Sequence, residues 1–141
     1  MLLAGVVAYA VATALILRVV VRLTPRRGLT GRDFWQSVVV MMTITFITAV
    51  AHLALIASWA LALLLCGSLA TFEDAFYFSA ENYTSLGYGD IILSGQWRLL
   101  GPLEAINGLL LFGLSTALMF AVMQQLIKNR LRRDANAHPE P

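Results

Sequence analysis

The stretch from Phe34 to Phe72 constrains the fold more than any other feature, because it contains no Asp, Glu, Lys or Arg. A helix needs about 20 largely apolar residues to cross a hydrocarbon core of about 30 Å. Two further stretches, 2–23 and 101–127, satisfy the same criterion. Only 13% of the residues are charged, whereas soluble domains carry about 25%. The sequence therefore predicts an all-α integral membrane protein with three transmembrane helices.

The basic residues predict how these helices are oriented. They cluster at the end of the first helix and in the connection that follows (Arg18, Arg22, Arg26, Arg27 and Arg32), and after the third helix (Lys128, Arg130, Arg132 and Arg133). Because cytoplasmic loops carry an excess of Lys and Arg, we expect the N-terminus outside and the C-terminus in the cytoplasm. Candidate partners of anionic lipid headgroups are Arg26, Arg27, Arg32, Lys128 and Arg130.

Residues 1–23 admit a second interpretation, as a cleaved signal peptide. The basic segment that precedes the apolar run of a signal peptide is missing, and the Arg cluster follows the run instead. We therefore favour a transmembrane helix.

The segment between the second and third helices, residues 67–100, is too polar to cross the membrane. Thr71 followed by Glu73 and Asp74 is typical of a helix start, because Thr caps the first turn and the helix dipole favours acidic residues there. We predict a short helix that ends before Gly87-Tyr88-Gly89, where glycines permit backbone conformations closed to other residues. The segment carries four acidic residues and one Arg, a balance that would concentrate cations on the outer side.

Several functional classes are excluded by the residues present. Gly87 and Gly89 do not belong to a dinucleotide-binding fingerprint, since the third glycine and the preceding strand are missing. His52, His138 and Cys66 cannot be assembled into a nucleophile and base or into a metal site. A formal net charge of +2 is too small to indicate nucleic-acid binding. We predict neither enzymatic activity nor a cofactor.

Residues 79–90 read Ser-Ala-Glu-Asn-Tyr-Thr-Ser-Leu-Gly-Tyr-Gly-Asp, and they resemble the pore helix and selectivity filter of tetrameric potassium channels. The signature of that family is Thr-Val-Gly-Tyr-Gly followed by Asp. The resemblance extends over 34–127 and is to the small bacterial pore-only branch, in which two helices flank one re-entrant loop. It implies a potassium-selective channel subunit in a bacterial plasma membrane. Since one chain supplies one loop, it also implies a homotetramer, or a tetramer that a related subunit joins.

The resemblance further implies which residues form the filter. Potassium loses its hydration shell in a narrow pore, where rings of backbone carbonyls can replace the water. The implied filter residues are Ser85, Leu86, Gly87, Tyr88 and Gly89, with K⁺ bound by the carbonyls of the first four.

The implied filter supports lie on the pore helix and just after the filter: Tyr77, Phe78, Glu81, Thr84 and Asp90. Tyr88 would pack against the aromatic rings of Tyr77 and Phe78. Glu81 would pair with Asp90, and since two adjacent carboxyls do not both ionise cheaply, one is expected to hold a proton.

Two residues depart from the family signature. Ser85 stands where the family has Thr, and Leu86 stands where it has Val. These departures leave a weakly selective cation channel of the same architecture as an alternative. A non-conducting or regulatory membrane subunit is a second alternative.

The third helix contains small and polar residues with candidate roles. Gly108 and Gly113 are candidates for a gating hinge, although small residues in membrane helices also permit close packing. Asn107, Ser115 and Thr116 are candidates for lining the pore cavity.

Two ionisable residues lie within predicted spans. Glu104 is near the outer end of the third helix, so we expect it to support the pore helix or to pair with Arg98. His52 is in the middle of the second helix, where we expect a neutral imidazole bonded to a neighbouring helix, with a proton sensor as the alternative.

These predictions divide the chain into four parts. They are an N-terminal transmembrane helix (1–23), a basic cytoplasmic loop (24–33), a pore domain (34–127) and a cytoplasmic polar tail (128–141). The pore domain comprises an outer helix (34–66), a pore helix (72–84), a filter (85–90) and an inner helix (101–127).

Overall fold

The computed structural model describes residues 32–137 of the 141-residue chain. The predicted first helix and nearly all of the predicted basic loop lie outside the described residues, and so do the candidate lipid contacts Arg26 and Arg27. The predictions for these parts stay predictions.

The described part of the chain is helical and contains no strand. Helix α1 spans Arg32–Leu65, α2 spans Phe72–Tyr83 and α3 spans Leu100–Ala137, with a short 3₁₀ helix at Gly95–Trp97 between the last two. Two apolar segments are long enough to cross a membrane, Ser37–Leu65 in α1 and Gly95–Lys128, which includes most of α3. The all-helical class and two of the membrane helices therefore agree with the sequence analysis.

Helix α2 begins where its capping residues place it. The Thr71 hydroxyl accepts a hydrogen bond from the Asp74 backbone N–H at 3.1 Å and donates to the Asp74 carboxylate at 2.7 Å. At the other end, the Thr84 hydroxyl donates to the Ala80 carbonyl at 2.7 Å. Both ends of a 12-residue helix are thus satisfied by its own sequence.

Helices α1 and α3 run antiparallel, and α2 is wedged between them at the C-terminal end of α1. Ile44 in the first half of α1 packs on the far part of α3. Ile56 in the middle of α1 packs on Tyr83 and Leu111. Ala60 and Leu63, near the end of α1, pack on Ala75 and Phe78 of α2. The position of α2, and of the loop that follows it, is therefore fixed by both long helices.

Helix α3 buries one stripe of residues that repeats every three or four positions, which is the spacing of one helical face. The stripe consists of Gly101, Glu104, Asn107, Gly108, Leu111, Ser115, Leu118 and Val122. Large apolar side chains on the other faces of α1 and α3 are exposed, Phe46 and Leu110 among them. Exposed apolar surface of this extent is typical of a chain that contacts lipid or other subunits.

Helix α3 is longer than the predicted inner helix. It continues beyond residue 127 to Ala137, through residues that were predicted as a polar tail. Hydropathy marks the part of a helix that lies in lipid, whereas Gln, Lys, Arg and Leu favour helix on either side of that boundary.

Candidate functional site

The loop of residues 85–90 has an alternating backbone. The φ angles of Ser85, Gly87 and Gly89 are 59°, 60° and 77°, whereas Leu86 and Tyr88 keep negative φ. Glycine adopts positive φ without penalty, but for the non-glycine Ser85 this conformation costs about 1–3 kcal/mol. Such strain persists only where the surroundings hold the backbone in place.

Glu81 is the residue that holds this loop. Its backbone carbonyl accepts from the N–H groups of Leu86 at 2.9 Å and Gly87 at 3.4 Å. Its side-chain Oε1 accepts from the N–H of Gly89 at 2.9 Å. Glu81 is only 4% exposed, so water does not compete for these bonds. One buried residue thus binds three backbone N–H groups of the loop.

These bonds determine where the carbonyl oxygens point. In a trans peptide the C=O and N–H groups lie on opposite sides of the bond, and the described peptides are all trans. The bonded N–H groups of Leu86, Gly87 and Gly89 face Glu81, so the carbonyls of Ser85, Leu86 and Tyr88 face away from it. Three of the four carbonyls assigned to ion binding therefore lie on the open side of the loop.

Asp90 and Tyr77 interact on the outer side of the loop. Partial desolvation opposes ionisation of Asp90, but hydrogen bonds from the Tyr77 hydroxyl and from backbone N–H groups outweigh it and lower the pKa of the carboxyl. The bond to Asp90 raises the pKa of Tyr77. The Glu81 carboxyl also faces Asp90. That the two carboxyls share a proton stays a prediction.

The predicted packing of Tyr88 on Tyr77 and Phe78 is not made within one chain. Tyr88 is 70% exposed, and its ring has no ring contact in the described part of the chain. Phe78 is buried instead in the cluster with Ala60 and Leu63. Among the residues that the structure describes, none covers the ring of Tyr88.

A family model described as "Ion channel" matches residues 39–125, which include the apolar part of α1, the whole of α2 and the loop. The chain belongs to this ion channel family. The resemblance to pore-only potassium channels that was drawn from residues 79–90 is thereby confirmed, and the family indicates a channel in a membrane.

One curated relative is the "Inward rectifier potassium channel Kirbac3.1" of Paramagnetospirillum magnetotacticum. The two sequences are 33% identical over 98 residues, which cover 63% of this chain and 33% of the relative. The matched part of the chain thus spans about a third of the length of that relative. No solved structure matches the chain.

His52 connects the three helices of this channel. Its Nδ1 lies 2.8 Å from the Tyr83 hydroxyl on α2, and its Nε2 lies 2.8 Å from the Ser115 hydroxyl on α3. The ring also stacks on Phe112 with centroids 4.3 Å apart. The predicted bond to a neighbouring helix is confirmed. Sequence reasoning missed Tyr83, since no local pattern indicates that a tyrosine at the end of α2 faces a histidine 31 positions earlier.

The hydrogen bonds also assign the tautomer of His52. The Ser115 hydroxyl donates its one proton to the Leu111 carbonyl at 2.6 Å. It must therefore accept from His52 Nε2–H, which leaves Nδ1 as an acceptor for the Tyr83 O–H. Each group has the partner it requires when the imidazole is neutral.

Gly108 has a packing role. A Cβ atom at this position would lie 1.9 Å from the backbone carbonyl oxygen of Tyr83, so α2 and α3 can approach this closely only at a glycine. At Gly113 a Cβ would meet no atom within 4 Å. The contact with Tyr83 is sufficient to explain the glycine at 108, and a hinge at Gly108 or Gly113 stays a prediction.

The three candidates for lining the cavity are placed differently. Asn107 and Ser115 are buried inside the chain, where residues that line an open cavity would be exposed. These two assignments are corrected, because the helix face that carries them packs on α1 and α2. Thr116 is exposed, and its hydroxyl donates to the Phe112 carbonyl of its own helix at 2.9 Å. It stays a candidate.

Glu81→Ala is expected to release the loop. The substitution removes the acceptor for the Gly89 N–H, and a hydrogen bond of this kind contributes about 0.5–1.5 kcal/mol. Hydrogen–deuterium exchange of a peptide that covers residues 85–90 should therefore become up to about tenfold faster. Glu81→Gln keeps an amide oxygen at this position and should stay closer to wild type. Glu73→Ala, which alters an exposed carboxyl on the same helix, is the control, and equal exchange in the two alanine variants would contradict the role of Glu81.

Gly108→Ala is expected to destabilise the protein, because the added methyl group forces α3 away from the backbone of α2. Overpacking of this kind costs about 1–3 kcal/mol, and thermal unfolding in detergent measures it. Gly113→Ala has open space and should leave stability unchanged or raise it by up to about 1 kcal/mol. Equal behaviour of the two variants would show that the close contact with Tyr83 is absent.

Proposed function

We propose that the protein is a subunit of a potassium-selective channel that carries K⁺ passively down its electrochemical gradient. The observation that carries the proposal is the 85–90 loop, whose N–H groups are held by Glu81 and whose carbonyls at Ser85, Leu86 and Tyr88 face the open side. An ion that sheds its water needs such oxygens in place of its hydration shell. The curated relative supports the choice of ion, since its name describes a potassium channel.

One loop presents carbonyls from one direction only, so a ring of ligands requires several copies. We propose a homotetramer with the four loops around a common axis. The exposure of Leu86 and Tyr88 supports this arrangement, because the described part of a single chain leaves more than half of each side chain uncovered. The exposed apolar faces of α1 and α3 would then contact lipid and neighbouring subunits.

Electrostatics support a cation as the cargo. Glu73, Asp74 and Asp90 are exposed around α2 and the loop, and Arg98 is the single basic residue between α1 and α3. The C-terminal end of α2 adds the negative end of a helix dipole beside the loop. A site with this charge balance concentrates cations and repels anions.

The proposal includes the location of the protein. In a bacterial plasma membrane the N-terminus would lie outside, and the C-terminal end of α3 with Lys128 and Arg130 would lie in the cytoplasm. The basic residues of the two cytoplasmic segments would meet anionic lipid headgroups there.

Gly87→Ala is expected to abolish potassium flux into liposomes, because the loop needs a φ of 60° at this position and alanine disfavours it. Gly95→Ala is the matched control. Gly95 has a φ of 55°, and at both glycines an added methyl group would meet no atom within 4 Å, but Gly95 lies outside the loop. The control should conduct like wild type once the amount of folded protein is equal. Wild-type flux that survives Gly87→Ala would refute the filter assignment.

The same liposomes decide between the alternatives. A reversal potential that follows the potassium gradient and ignores sodium supports a selective channel. One that shifts equally with either ion indicates the weakly selective alternative that Ser85 and Leu86 suggest. Absence of flux together with absence of a tetramer in mild detergent indicates a non-conducting subunit.

Cys66 reports the orientation, because it is the one cysteine of the chain and it is exposed near the outer end of α1. A membrane-impermeant maleimide added to intact cells is expected to label it. Cys66→Ser should remove the signal. Labelling that appears only after permeabilisation would reverse the proposed orientation.

A further inference from the structure

A narrow seam joins α2 to the first half of α3. At its outer end, a Cβ on Gly101 would lie 3.0 Å from the Asn82 side-chain oxygen, and at its inner end Gly108 meets the backbone of Tyr83. Glu104 lies between these two glycines on the same face of α3. The helices are therefore close together on both sides of a carboxyl group.

Glu104 carries a carboxyl group that is completely covered by its own chain. The residue is 0% exposed, and neither of its carboxyl oxygens has a hydrogen-bond partner among the described residues. The Ser79 hydroxyl of α2 lies beside the carboxyl, yet Ser79 Oγ also lacks a bond of good geometry. Both amide atoms of Asn107, one turn further along α3, are buried without a partner as well. Five buried polar atoms without a hydrogen-bond partner thus lie along one covered seam.

An ionised carboxylate does not fit this seam. Arg98, the nearest basic residue in sequence, is exposed, and no ion pair between it and Glu104 is present in the described part of the chain. The predicted pairing of these two residues is therefore corrected. A neighbouring subunit cannot supply the countercharge, because the carboxyl is already covered by its own chain. An unpaired charge in such a place costs several kcal/mol or more.

A neutral Glu104 carboxyl can form hydrogen bonds with these buried polar groups. Its O–H can donate to the Asn107 amide oxygen, and its carbonyl can accept from the Asn107 amide N–H or from the Ser79 hydroxyl. The ionised form offers acceptors only, which leaves the Asn107 oxygen dependent on Ser79. With the proton present on Glu104, more of the hydrogen-bond donors and acceptors of the three side chains can have a partner.

We propose that Glu104 is a positioning residue that acts as a neutral acid and, with Ser79 and Asn107, fixes the depth of α2 against α3. Ser79 precedes Glu81 by two residues on the short helix α2, so a displacement of the helix at Ser79 moves the residue that holds the loop. The seam thereby sets the position of the loop carbonyls. This effect on selectivity rests on the proposed channel function, whereas the protonation of Glu104 does not.

Infrared spectroscopy of the purified wild-type protein tests the protonation directly. At neutral pH we expect the C=O stretching band of a protonated carboxyl, slow to respond to deuterium exchange because the group is covered. The difference spectrum between wild type and Glu104→Gln should show the loss of this band in the variant, because a proton shared by Glu81 and Asp90 would contribute equally to both proteins. Glu73→Gln, at an exposed carboxyl, should leave the band in place. Absence of the band in wild type, or equal intensity in wild type and Glu104→Gln, overturns the proposal.

Flux measurements test the positioning role. Glu104→Gln supplies a neutral group of the same shape and should keep the potassium-over-sodium ratio within about twofold, whereas Glu104→Leu should lower this ratio on the order of tenfold through loss of the polar contacts. A merely structural role would reduce the yield of folded protein in Glu104→Leu and leave the ratio of the surviving protein unchanged, which would overturn the proposal. If the wild-type protein does not conduct, the proposed function fails, and the infrared band still decides the state of Glu104.

Discussion

The interaction on which the site depends is the set of bonds that Glu81 makes to the loop after α2. Its backbone oxygen and its side-chain Oε1 together bind the N–H groups of Leu86, Gly87 and Gly89. These bonds compensate the positive φ of Ser85 and turn the carbonyls away from the protein. Glu81 is buried on α2, a helix of only 12 residues, so the position of the loop depends on the position of that helix.

The two long helices fix the position of α2. Helix α1 contributes the apolar residues that pack on Ala75 and Phe78, and His52 adds a hydrogen bond to Tyr83. Helix α3 contributes Gly108, whose missing side chain lets the two backbones meet. Apolar packing between helices is not directional, and lipid tails compete with it on equal terms, so polar bonds and small residues determine which packing is adopted.

Much of the local structure could be predicted from the sequence, because the information is local. Thr71, Glu73 and Asp74 indicate the start of α2, and the spacing of glycines after it indicates a loop with positive φ. The surroundings that the polar side chains of α3 face could not be predicted in this way. Asn107, Ser115 and Thr116 are all polar residues in an apolar helix, and nothing in their neighbours distinguishes a face that meets water from one that meets α2. Likewise the partner of His52 lies 31 positions away, and only the antiparallel arrangement of α1 and α3 brings the three helices to it.

In the proposed tetramer, the orientation of the loop carbonyls and their distance from the common axis have different origins. The bonds that orient the carbonyls run from the loop to Glu81 of the same chain, so this orientation exists before subunits meet. The distance of the carbonyls from a common axis has no such support, since Leu86 and Tyr88 are 57% and 70% exposed in the single chain. Neighbouring subunits must therefore set the radius of the ring. The departures from the family signature at Ser85 and Leu86 accordingly affect different properties. Ser85 has a strained backbone that its own subunit holds, so it bears on the orientation of the carbonyls. Leu86 has a larger side chain that would contact a neighbouring subunit, so it bears on the radius of the ring. Ion selectivity depends on both the orientation of the carbonyls and the radius of the ring. In the proposed tetramer a single chain would therefore determine the first, and assembly would determine the second.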